Sequence, residues 1–291
     1  MPASLLQEFS KIVSWRRGSE RAPHKPLLVI YALGALSRGK DQISFSEVEG
    51  PLTELLRDFG PSRARFHPEY PFVRLQNDGI WVLQTPTDTQ FAPSQDSHLL
   101  SELRSSLVQG SFRPDIIRKL KKSTNLLARL IQQVLENNFP ASLHEEIINR
   151  CGIKLLTTQI RKPRSPDFRA NVLDAYKNQC AVCGHSLQIA DLYPALEAAH
   201  IRWHALGGKD DVTNGLALCS THHKLFDFGA FGIREGMVEF SARLDGNHML
   251  DFHLGSFHGR QILMPVDVRF SPSLEHLDWH YSEVFKQPAR K

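Results

Sequence analysis

Four short runs stand in order along one stretch of the chain. They are Cys180-Ala-Val-Cys183-Gly184, Leu196-Glu-Ala-Ala-His200-Ile201, Gly207-Gly208-Lys-Asp-Asp-Val-Thr-Asn214-Gly215-Leu216 and Cys219-Ser-Thr-His222-His223-Lys-Leu-Phe-Asp227. The first run puts two thiols on a tight turn closed by glycine, and the last repeats the two-residue gap with Cys219 and His222. Three cysteines and a histidine at such spacings make a usual set for a closed structural zinc site, so Cys180, Cys183, Cys219 and His222 are the expected Zn²⁺ ligands. A site whose four positions are all protein groups holds a fold rather than performing chemistry.

Between and after the cysteine pairs come His200, Asn214 and His223, in an order that resembles the HNH (ββα-metal) nuclease motif over about Cys180 to Asp227. The chemistry accounts for the residue types. Phosphodiester hydrolysis needs a water made nucleophilic and an anionic transition state stabilised. A neutral imidazole takes a proton near pH 7, and His200 is expected to be that base. Mg²⁺ or Mn²⁺ is expected as the catalytic ion, acting as a Lewis acid on the scissile phosphate. His223 is the best ligand for it, and Asp227, four residues on, shares its helix face. The resemblance implies that Asn214 fixes the loop geometry and orients the His200 strand. Adjacent helical residues point about 100° apart, so His222 can face zinc while His223 faces the active site, with the swapped assignment left open. Many HNH nucleases carry a metal-ligating residue just before the base, where this chain has Ala199. Glu197 is the nearest carboxylate, either a third metal ligand or a surface strand residue, and His204 is a further candidate.

The rest of the chain reads as α+β: a mostly helical front half with one β-hairpin, then the zinc-containing module. Helices are expected over Leu5–Trp15, Pro26–Leu36, Ser46–Phe59, Ser97–Val108, Asn125–Asn138 and Leu143–Asn149. The hairpin is expected where Pro71–Leu75 and Ile80–Gln84 flank Asn77-Asp78-Gly79. Arg161-Lys-Pro-Arg-Ser-Pro166 interrupts any helix and reads as a linker, which gives domains at 1–160 and 167–291. In the second, Phe168–Asn178 reads as a helix, Leu196–Ile201 as a strand and Leu216–Phe226 as a turn into a helix. Met237–Leu244, Met249–Leu254 and Gln261–Val266 alternate like strands, and Ser273–Phe285 reads as a closing helix. Cys151 has no near partner and reads as a buried thiol.

Net charge is +4 over 291 residues, unevenly spread. Met1–Ser165 holds 23 Lys and Arg against 16 Asp and Glu, whereas Pro166–Lys291 holds 12 against 15. A basic front and a mildly acidic back suit a polyanion-holding part joined to a metal-holding part. No apolar run approaches bilayer-spanning length, and the first residues lack the pattern of a secretory signal, so a cytoplasmic location is expected.

Basic and aromatic residues cluster in Arg21-Ala-Pro-His24-Lys25-Pro26 and in His67-Pro-Glu-Tyr70-Pro71-Phe-Val-Arg74. With the Asn77-Asp-Gly-Ile-Trp-Val-Leu83 segment, they resemble the sulfur-binding domain of phosphorothioate-dependent type IV restriction endonucleases, over about Leu5–Leu83. The joined parts resemble such a domain fused to a McrA-like HNH endonuclease domain. The resemblance implies an apolar pocket from Tyr70 and Pro71 for sulfur, with Arg21, His24, Lys25 and Arg74 on the backbone or bases of double-stranded DNA. The 161–166 linker predicts cleavage at a short distance from the mark rather than at it, and cutting both strands with one active site per chain implies a homodimer. The rival readings are an HNH nuclease for methylated bases, with Trp15 and Trp81 as candidates for an aromatic cage, and a zinc-stabilised DNA-binding protein with an inactive nuclease fold.

Overall fold

A computed structural model describes residues 2–12, 23–85, 100–101, 103–104, 108–153, 166–190, 192–247, 250 and 254–291. The chain divides into two units, Met1–Thr158 and Gln159–Lys291. No described helix is long and apolar enough to cross a membrane.

The first unit runs α1 (Pro2–Ser10), α2 (His24–Ser37), β1 (Gln42–Ser44), α3 (Phe45–Phe59), α4 (Glu69–Arg74), β2 (Trp81–Gln84), β3 (Gln109–Phe112), α5 (Pro114–Lys122), α6 (Thr124–Asn138) and α7 (Ala141–Arg150). Ten of the fourteen residues of α2 are buried, which follows from its nearly unbroken apolar sequence. Helices α3, α4 and α6 pack around it, and α1 packs on α6. The start of α3 is set by a capping box: Ser44 accepts from the Glu47 amide, and the Glu47 carboxylate accepts from the Ser44 amide. Gly34 lets α2 approach the end of α7, because a Cβ there would lie 2.5 Å from the Cys151 carbonyl oxygen. Cys151 is buried, and burial pushes its thiol up to about 12.

The expected hairpin is corrected. Glu69–Arg74 is helical, Leu75–Asp78 continues as a 3-10 turn, and Gly79 closes it in the left-handed region at φ +69°. Phe72, Val73 and Leu75 are all buried, a spacing that one helical face satisfies and an alternating strand does not. Strand β2 pairs instead with β3, in a three-stranded antiparallel sheet ordered β1-β3-β2. Trp81 lies inside an aromatic cluster with Phe72 and Phe112, which Gly110 admits: a Cβ there would fall 2.3 Å from the indole ring. Strands β1 and β3 and helix α5 were not foreseen. Helix α1 ends at Ser10, short of the expected Trp15, which lies outside the described residues, as does most of Ser97–Val108.

The second unit runs α8 (Pro166–Ala175), β4 (Leu196–His200), β5 (Gly215–Cys219), α9 (Ser220–Asp227), β6 (Phe231–Arg234), β7 (Met237–Phe240) and α10 (Leu274–Glu283). Strands β4 and β5 form an antiparallel hairpin in which His200 faces Gly215 and Leu196 faces Cys219. Helix α9 packs on this hairpin, giving the ββα unit, and α8 packs against both strands. Gly215 permits that contact, since a Cβ there would stand 2.4 Å from Val172. The run after Leu216 is thus a strand before it is a helix. The Gln261–Val266 expectation reduces to one bridge between Gln261 and Met237, and β6, not foreseen, is the partner of β7. The Met249–Leu254 run lies mostly outside the described residues. Helix α10 packs on β6, and its His280 stacks on Phe226 of α9 at 3.5 Å.

Candidate active site and metal centre

The ligand atoms of Cys180, Cys183, Cys219 and His222 all lie within 4.8 Å of one another, in a group that could hold a metal ion. The knuckle turn closes with Gly184 at φ +71°, where its amide donates to the Cys180 carbonyl. Cys219 caps α9, and this brings His222, in the first turn, back onto the thiols. The His222 Nδ1 is 3.1 Å from the Cys219 sulfur and 3.6 Å from the Cys180 sulfur. Such separations suit the edges of a tetrahedron around a small ion. Burial opposes a charged His222, but hydrogen bonds to Cys180 and Cys219 push it up to about 9. The donor set fits zinc: soft thiolates and one imidazole, largely withdrawn from water.

His223 points the other way. Its Nδ1 lies 2.5 Å from Glu197 on β4, and its Nε2 lies 3.3 Å from Asp227 on its own helix. Burial works against its protonation, yet the charge of Asp227 and then the hydrogen bonds with Asp227 and Glu197 push it up to about 9. Glu197 also accepts from the Ser220 hydroxyl, which fixes its carboxylate beside the start of α9. The three groups expected around one catalytic ion are brought together, but not around one point. Glu197 and Asp227 address opposite nitrogens of the same ring, because a residue four places on meets the far side of His223. Asp227 is buried, whereas Glu197 is partly open to solvent. Among the described groups, Glu197 thus presents its carboxylate at one edge of the His223 ring, and Asp227 presents its own at the other.

His200 ends β4. The Phe168 ring stacks on it at 4.1 Å and 15°, and its Nε2 lies 2.8 Å from the Asp210 carboxylate. The His204 ring lies edge-on to that of His200, with ring centres 5.9 Å apart. Asn214 is fully buried. Its side-chain oxygen accepts from the Arg202 amide at 2.8 Å, and its amide nitrogen donates to the carbonyls of Arg202 and Lys209 at 3.0 Å. The side chain thereby ties both ends of the loop after β4. Gly208 is required for that closure, since a Cβ there would lie 1.8 Å from the Arg202 oxygen.

In the first unit, His24 opens α2, whose N-terminus has no side-chain cap and no acidic residue in its first turn. Lys25 forms a 2.6 Å ion pair with the buried carboxylate of Asp78. Pro71 is buried, while Tyr70 is half-buried, with Arg74 4.3 Å above its ring and His67 stacked on it at 4.6 Å. His67 in turn holds Glu69 at 2.7 Å. Arg21 lies outside the described residues. Asp210, Phe168, Asp78 and His67 were missed as neighbours of these sites, and no spacing rule could have found the first three.

Known proteins locate these features. Residues 180–234 match the HNH endonuclease family, and residues 2–156 match the ScoMcrA-like DNA sulfur-binding domain. No curated protein matches the chain. Among solved structures, the sulfur-binding domain of SprMcrA complexed with phosphorothioated DNA is 18% identical at a TM-score of 0.45, covering 52% of this chain and 94% of that one. The sulfur-binding domain of ScoMcrA complexed with phosphorothioated DNA is 17% identical at 0.41, covering 50% and 94%. The modification-dependent TagI restriction endonuclease is 29% identical at 0.31, covering 42% and 39%. With one family matched over more than half its length and an HNH endonuclease domain behind it, the chain is a nuclease and belongs to the ScoMcrA-like DNA sulfur-binding domain family.

Proposed function

We propose that the protein is a modification-dependent (type IV) restriction endonuclease that holds phosphorothioated double-stranded DNA with its first domain and hydrolyses nearby phosphodiester bonds with its second. The observation that supports this most is the joining, in one chain, of a DNA sulfur-binding domain over residues 2–156 and an HNH endonuclease domain over 180–234, with His200 at the end of β4, Asn214 just before β5 and His223 on α9. In this reading the domains are 1–160 and 167–291, joined through 161–166. Tyr70 and Pro71 wall the sulfur pocket, since sulfur is larger, softer and less strongly hydrated than oxygen. Arg21, His24, Lys25 and Arg74 hold the DNA backbone or bases, with Lys25 sharing its charge with Asp78. Two copies cut the two strands, and the enzyme works in the cytoplasm.

His200 takes the proton of the attacking water, and Asn214 keeps the loop beside it closed. One Mg²⁺ or Mn²⁺ would be held by His223 and Glu197, with Asp227 on the other ring nitrogen to orient His223. When bound, such an ion supplies Lewis acidity to the scissile phosphate and the departing oxygen. The cysteine cluster takes Zn²⁺ and does no chemistry.

Matched plasmids with and without backbone sulfur, in Mn²⁺ or Mg²⁺, test the proposal. Only the sulfur-bearing plasmid is expected to be cut, and equal cutting of both would remove the sulfur-dependent reading. The protonation of His223 gives a second expectation. Because its pKa is pushed up to about 9 by Asp227 and Glu197, an incoming ion must displace a proton throughout the neutral range. Mn²⁺ affinity should then rise about tenfold per pH unit from 6.5 towards 9, with about one proton released per ion. Calorimetry in buffers of different ionisation enthalpy reads both quantities, and pH-independent binding would place the ion elsewhere.

A further inference from the structure

The HNH reading gives His200 its role and says nothing of which group sets the tautomer of its imidazole. The structure assigns that role to Asp210, as a positioning residue for His200; the inference rests on the proposal that His200 is the base. The Asp210 carboxylate lies 2.8 Å from His200 Nε2. Opposite an ionised carboxylate, the proton of a neutral imidazole belongs on Nε2, and the lone pair is then on Nδ1. As water is activated, its proton passes to Nδ1, while the Asp210 carboxylate keeps its bond to Nε2–H and stabilises the imidazolium.

Asp210 is itself held on both sides. The carbonyl of Lys209, one residue before, accepts from Asn214, and Asp211, one residue after, caps the turn at Val212–Asn214 by accepting from the Thr213 amide. Phe168 stacked on the ring restricts its rotation, so the carboxylate and the aromatic face together fix both the plane and the edge of the imidazole. Asn214 thus acts on the base twice, through the strand end and through the loop that carries Asp210. The side chain of Asp210 is 37% exposed, so truncating it removes little buried surface.

The test compares Asp210→Ala, Asp210→Asn and His200→Ala in the full chain on sulfur-bearing plasmid with saturating Mn²⁺. Asp210→Ala is expected to lower kcat about 10²-fold with little change in KM. Both Asp210 variants should move the acid limb of the kcat profile down by about one pH unit, because the imidazolium loses its anionic neighbour. The His200 imidazole resonances of the metal-free protein should titrate correspondingly lower, a readout that a merely structural role would not move. Wild-type kcat and pH profile in Asp210→Ala, with His200→Ala inactive, would overturn the assignment of Asp210 alone. A raised KM at unchanged kcat would also overturn it, by making Asp210 a DNA contact. Cleavage that survives His200→Ala would overturn the base reading and this inference with it.

Discussion

Replacing Cys180 with alanine is expected to abolish metal retention at the four-residue cluster and to unfold the second unit. The cluster ties the turn after α8 to the junction of β5 and α9, where Cys219 ends the strand and caps the helix. Cys180 is fully buried, so its loss leaves a cavity as well as an incomplete coordination sphere. Structural zinc contributes about 10 kcal/mol or more to the folding of small domains, and a three-ligand remnant forfeits a large part of that. Melting should resolve two transitions in the native protein, with only the one belonging to the second unit lost or moved down by tens of degrees. Metal analysis on the purified variant should find about one zinc fewer per chain. A variant that retains metal at the cluster and keeps its melting profile would sink the structural role of the cluster.

The second large effect is expected from Asn214→Asp, a change of one atom type with no change in shape. Asn214 donates to two carbonyl oxygens, those of Arg202 and Lys209, and accepts from one amide. A carboxylate can keep the accepted bond but has nothing to donate, so its oxygen faces two carbonyl oxygens inside a fully buried site. Leaving buried polar groups unpaired costs about 1–3 kcal/mol each, more where a charge is involved. The loop from Arg202 to Lys209 is then expected to open, displacing the end of β4 that carries His200. Cleavage should fall at least about 10²-fold, since a misplacement of about 1 Å is enough for that loss. The melting point of the second unit should fall too, while DNA binding by the first unit stays as it was. Retained cleavage would show that loop closure by Asn214 is dispensable.

Much of the site is written in local sequence, because its parts lie close together in the chain. The thiol pairs sit at turn spacing, so Cys180, Cys183, Cys219 and His222 can be grouped without knowing the fold. The separation of His222 from His223 follows from helix geometry once Cys219 is seen to cap α9. The long apolar run of α2 likewise announces a buried helix. The hairpin reading of 71–84 failed where local signals conflicted: Asn-Asp-Gly is a hairpin turn sequence, but burial of Phe72, Val73 and Leu75 on one side favoured a helix.

The amino-acid order alone therefore identifies the residues that can ligate, take a proton or hold an anion, and the succession in which the module presents them. Their partners became visible in the folded chain alone. Glu197 meets Nδ1 of His223 and Asp227 meets Nε2, Asp210 reaches His200, Asp78 takes Lys25, and β2 finds β3 rather than the segment before it. Residue spacing along one helix or turn is fixed by backbone geometry, and so it can be read directly. Contacts made across loops depend on where packing lets the chain return, and here that was set by burial at Gly110 and Gly215 and by hydrogen-bond closure at Asn214.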